Sequence, residues 1–128
     1  MSRIGRFKTE IVSVKEGVLK RAMEVVAERN NLKLTDCVKD FYGRRTPCMA
    51  FDVGSRFGAS GIGAVVNTKG GLEFLYDKSA LGDRAGHLER EIVTTYTSLV
   101  AALTLQAMGF EVSTSEDQMG TLIVGRST

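Results

Sequence analysis

The residues best equipped for recognition are an aromatic pair and two adjacent arginines, Phe41-Tyr42-Gly43-Arg44-Arg45, followed by Thr46-Pro47. A guanidinium presents a planar fork of donors that fits a phosphate or a carboxylate, and an exposed ring beside it can stack. The same run also reads as a solvated loop ahead of a proline, and side-chain type alone leaves both readings open. Residues 54–63, G-S-R-F-G-A-S-G-I-G, form the second candidate. Glycine-rich backbone can point amides at an anion, and Arg56 would add charge. Phosphate loops, however, run from a strand into a helix, and this one runs into Ala64-Val65-Val66, a strand-like run without the G-x-x-x-x-G-K-[ST] pattern. A turn or β-bulge is the competing reading. Tyr42, Arg44, Arg45 and Arg56 are therefore the candidate partner- or anion-binding residues.

Catalytic chemistry has little to draw on. His87 is the only histidine, and Asp83, Glu89 and Glu91 lie near it in sequence. A charged helix start accounts for all four, whereas a general base needs a nucleophile or substrate and an orienting partner. Cys37 and Cys48 form no C-x-x-C pair, and with one histidine they fall short of a structural zinc set. Both are read as reduced, partly buried thiols. No catalytic residue, no metal and no cofactor is assigned.

The elements that must carry these residues are legible from periodicity. Leu88, Ile92, Tyr96, Leu99, Leu103 and Ala107 recur at steps of three and four and mark the buried face of a helix over 87–108. Gly109 suits the left-handed end of that helix, with Phe110 folding back onto Leu105. A second helix over 14–29 turns Val18, Leu19, Ala22, Met23 and Val26 inward. Ser13-Val14-Lys15-Glu16 has the form of a capping box at its start, and Asn30-Asn31 is a stop. Strands are expected over 7–12, 32–35, 48–53, 62–67 and 72–77, with 110–113 and 121–124 as a closing hairpin. Thr68-Lys69-Gly70-Gly71 is the turn between two of them, and 36–45 is ambiguous. The order β-α-β-β-β-β-α-β-β predicts one α+β domain over 1–128. Two helices would pack on one face of a mostly antiparallel sheet and leave the other face to solvent or a partner.

Composition is that of an ordinary globular protein, 43% hydrophobic and 25% charged in 128 residues. The first residues lack the apolar core of a signal peptide, and no apolar run is long enough to cross a membrane. A soluble, cytoplasmic protein without membrane contact is expected. Charge is uneven: residues 1–60 carry 12 Lys and Arg against 7 Asp and Glu, and residues 61–128 carry 5 against 8. A basic first half permits an anionic partner but is weaker than the stripe of a dedicated nucleic-acid binder.

The order of short motifs resembles one known family. F-K-T-E-I at 7–11, the aromatic-glycine-arginine segment at 42–45, I-G-A-V-V at 62–66, G-L-E-F-L-Y-D at 71–77 and Tyr96 ahead of G-F-E-V at 109–112 resemble the proteins typified by hypothetical chloroplast open reading frame thirty-five. Arg3 stands where family members often have histidine, and Y-G-R-R replaces their R-G-Y-R-G, so no chemistry of that histidine carries over. The resemblance implies a compact single domain and an accessory role, with some members encoded near AAA-type ATPases.

Together these readings favour a non-enzymatic accessory or adaptor protein that binds a protein partner through its sheet face and residues 42–45. An RNA- or phosphate-ligand-binding domain using Arg3, Arg6, Lys8, Arg44, Arg45 and Arg56 is the alternative. A homo-oligomer through an edge strand is open to either. Replacing Arg44 and Arg45 by Ala is expected to weaken partner binding with little change in melting temperature.

Overall fold

A computed structural model describes the backbone of residues 4–40, 42–53, 61–117 and 120–127, with side chains up to residue 110. The chain runs β1 (Gly5–Lys8), α1 (Glu16–Arg29), β2 (Lys33–Lys39), β3 (Arg45–Asp52), β4 (Ile62–Val66), β5 (Leu72–Tyr76), α2 (Lys78–Leu81), α3 (Asp83–Ala107), β6 (Phe110–Asp117) and β7 (Gly120–Ser127). Within the ambiguous stretch 36–45, residues 36–39 and 45 are strand, because β2 continues past a register shift between Thr35 and Cys37 and β3 begins at Arg45. The one-turn helix α2 was not foreseen. Asp77 starts it, its carboxylate accepting from the amides of Ser79 and Ala80.

Five strands form one antiparallel sheet in the order β1-β5-β4-β3-β2. The last two strands do not extend it; β6 and β7 make a separate two-stranded sheet, and both contact α3. The turn between β4 and β5 is shaped by Asn67, whose Oδ1 accepts from the amides of Lys69 and Gly71. Gly70 sits at φ 83°, a conformation only glycine adopts freely. Edge strand β1 is anchored on β5, where the rings of Phe7 and Tyr76 stack at 4.2 Å.

The register places Phe51, Ile62 and Tyr76 abreast, and Ala64 beside Phe74. These residues form one buried cluster with Leu19, Met23 and Val26 of α1 and Leu88, Ile92 and Tyr96 of α3. The residues of opposite parity, Ala50, Gly63 and Leu75, are buried too. The centre of the second face is therefore not open to solvent, contrary to the expectation from the sequence.

Two helix details differ from expectation. The stripe of α3 stops short: Leu103 is 46% exposed and Ala107 is exposed, while Ala102 is buried. At 25 residues α3 is about 38 Å long against about 21 Å for the 14-residue α1, so α1 cannot cover all of its length. The capping box does not form either. Ser13 lies at φ 54°, and Lys15 is the N-cap without a side-chain cap. Tertiary partners replace it, since the Val14 amide donates to the Gly70 carbonyl at 2.9 Å and the Lys15 amide donates to the Tyr96 hydroxyl at 2.9 Å. The stop at Asn30-Asn31 is present, with Asn31 at φ 54° and the Leu32 amide reaching back to the Ala27 carbonyl at 2.8 Å.

Candidate functional site

The turn joining β2 to β3 is built around one carboxylate. Asp40 is 4% exposed, and its Oδ1 accepts from the amides of Tyr42 and Arg44, each at 2.9 Å. Its Oδ2 accepts from Arg44 Nε at 2.6 Å. The backbone closes the same loop, with the Asp40 amide donating to the Arg44 carbonyl and the Gly43 amide to the Asp40 carbonyl, both at 3.0 Å. Gly43 lies at φ 80°, which the turn requires and a side chain would oppose. An aspartate folding its own downstream amides in this way is the mechanism that makes Asp a turn residue.

Burial pushes the Asp40 carboxyl up, but the hydrogen bonds from Arg44 and the Tyr42 amide outweigh it and hold the group below its usual value. The carboxylate is charged at neutral pH, as an anchor for a guanidinium must be. The consequence lies on the surface. Arg44, with 71% of its side chain exposed, is held 5.4 Å from the centre of the Tyr42 ring, and Tyr42 is 60% exposed. An aromatic–guanidinium pair thus stands on the surface, with the arginine side chain and the tyrosine backbone amide both held by Asp40.

Beside it, Lys39 and Arg45 face each other across the last rung of β2 and β3. Both line a cleft of about 210 Å³ that Asp36 and Asp52 also border. Tyr42, Arg44 and Arg45 are therefore brought together. Arg56 lies outside the described residues, as does Arg3, and so does most of the glycine-rich segment 54–63. Its last described glycine has a packing reason: Cys48 Sγ and Val38 Cγ2 press into the space a Cβ on Gly63 would take. Sequence reasoning missed Asp40 and Lys39. The D-F-Y-G-R spacing, with glycine three residues after aspartate, was the signal for the first. Lys39 had none, because its place beside Arg45 depends on strand register.

The remaining basic candidates lie elsewhere. Arg6 and Lys8 are on β1, the opposite edge of the sheet from β2. Arg6 donates to Glu73 at 2.9 Å, and Glu73 is 4% exposed and also accepts from Asn67 at 2.6 Å. The hydrogen bonds from Asn67 and Arg6 hold the Glu73 carboxyl below its ordinary value against the effect of burial. Arg6 is thereby committed to the fold.

His87 is exposed in the first part of α3. Cys37 and Cys48 are free thiols. Burial, and after it the proximity of Cys37, pushes the Cys48 thiol up to about 11, which leaves little thiolate for nucleophilic attack near neutrality. Among the described residues no group of three or more His, Cys, Asp or Glu is placed to hold a metal ion. No helix among them is long and apolar enough to cross a membrane. The chain matches no protein-family model, no curated protein and no solved structure.

Proposed function

We propose that this chain is a small non-enzymatic accessory or adaptor protein, cytoplasmic, that binds a protein partner through the turn between β2 and β3. One observation carries the reading: Tyr42 and Arg44 are exposed yet held in place by a buried carboxylate. Tyr and Arg are enriched among the residues that dominate interface energies. A side chain already ordered before binding loses less freedom on association. The resemblance to the plastid and cyanobacterial family points to an AAA-type ATPase system as the partner's setting. The two long helices share one face of the sheet in this reading. The sheet's other face drops out of the binding surface, because Ala50 and Leu75 at its centre are buried.

Affinity purification of the tagged chain from its host tests the proposal. A stoichiometric protein that is lost with Tyr42→Ala is the expected result, and a partner retained by that variant would count against it.

The nucleic-acid alternative is less favoured by the placement of charge. Arg6 and Lys8 on β1 stand three strand spacings away from Arg45 at the start of β3, about 14 Å at the usual spacing, with β5 and β4 between them, so no single basic stripe joins them. That reading requires binding that falls steeply with salt. Pairing through either edge of the five-stranded sheet is disfavoured: β1 has four residues, and β2 has a register shift and a lysine at each end, all features that discourage strand pairing.

A further inference from the structure

We infer that the β2–β3 end of the sheet recognises an extended protein segment in which an acidic residue is followed, about three positions on, by a basic one. The inference rests on the accessory-protein reading and specifies the chemistry of its partner. Lys39 and Arg45 are abreast at the end of the two strands and line the cleft of about 210 Å³. Arg44 precedes Arg45 in the chain, and its bond to Asp40 runs from Nε, not from the two terminal nitrogens of the guanidinium. This end of the cleft attracts a carboxylate.

The other part of the same cleft has the opposite sign. Asp36 and Asp52 line it, and Asp36 precedes Lys39 by three residues, about 10 Å along the strand. A nucleic-acid strand is charged at every nucleotide and would set a phosphate against one of these carboxylates. A polypeptide can place glutamate at Lys39 and Arg45 and lysine at Asp36, because its charges are set residue by residue and an extended chain in the polyproline II form returns to the same face every third residue, about 9 Å on. Tyr42, in the turn that joins the two strands, adds an exposed aromatic surface beside Arg44. Opposed charges within one cleft therefore favour a protein over an RNA ligand, and they also set the direction in which the segment lies.

Fluorescence anisotropy with defined probes tests this. The probe is a fluorescein-labelled ten-residue Gly/Ser peptide carrying one glutamate and one lysine at i and i+3; the comparators replace glutamate by glutamine, or replace the peptide by a ten-nucleotide oligouridylate. Saturable binding of the probe is expected, with roughly tenfold weakening for the glutamine comparator and for the double variant Lys39→Ala, Arg45→Ala. The melting temperature of that variant should stay near wild type, because neither side chain is buried. A charge reversal, Arg45→Glu, should restore binding to a peptide carrying lysine in place of the glutamate. The inference is overturned if the glutamine comparator binds equally, if the double variant binds as wild type does, if oligouridylate binds more tightly, or if the probe does not bind. In the last case, a host protein captured in a Tyr42-dependent manner would leave the accessory reading standing and remove only the charge pattern.

Discussion

The hydroxyl of Tyr96, midway along α3, accepts the backbone N–H of Lys15 at 2.9 Å and so holds the entry of α1. The two residues are 81 positions apart, and α1 has no side-chain cap of its own. An orphan amide at a helix start needs some acceptor, and here a tertiary contact supplies it.

Tyr96→Phe keeps the buried ring and removes only that acceptor. We expect a loss of about 1 kcal/mol in urea unfolding, with an unchanged slope. Hydrogen exchange at the first turn of α1 should rise in the same variant. Wild-type protection there would show that the bond contributes nothing.

Asp40 and Arg44 should behave as a unit in stability, and Arg45 should not. Adjacent in sequence, the two arginines differ in that Arg44 bonds the Asp40 carboxylate. Arg44→Ala leaves a buried carboxylate without its guanidinium and should lower the melting temperature, while Arg45→Ala should leave it almost unchanged. A double-mutant cycle between Asp40→Asn and Arg44→Ala should give clear coupling. The pH dependence has a definite sign. The carboxyl is held below its reference value of 3.8, so its contribution is complete above that pH and is lost as pH falls through the lower folded value. Asp40→Asn should accordingly flatten the acid limb of the stability profile, and an unaltered limb would contradict the assignment.

Gly63 tests the packing of β4 against β3. A Cβ there would collide with Cys48 Sγ and Val38 Cγ2, so Gly63→Ala should destabilise the protein by about 1–3 kcal/mol. Adding Cys48→Ala makes room on one side and should recover part of the loss. No recovery would place the strain at Val38 alone.

Cys48 should be slow to modify. With its thiol near 11, only about one molecule in a thousand carries the thiolate at pH 8. A Cys37→Ser variant should therefore react with a disulfide reagent far more slowly when folded than in denaturant, with a rate that climbs up to about pH 11. The raised value favours the neutral thiol, so the contribution of Cys48 to stability is present below the reference value of 9.0 and is lost as pH rises through about 11. Equal rates in the folded and denatured protein would refute the assignment.

The sequence by itself determined the local elements. Leu19, Met23 and Val26 recur at helical spacing, Met49 and Phe51 alternate in strand fashion, and Asn67 with Gly70 encodes a turn. Each signal is local, because side-chain period follows from backbone geometry within a few residues. It also supplied the aromatic and arginines at 42–45, though not their different roles. Only the tertiary structure decided that Arg44 is tied to a buried carboxylate, that Lys39 stands opposite Arg45, that Ser13 yields the α1 entry to Gly70 and Tyr96, and that Leu103 stays exposed. Periodicity records how a side chain prefers to be buried; register, helix length and contacts between distant segments decide what is there to meet it.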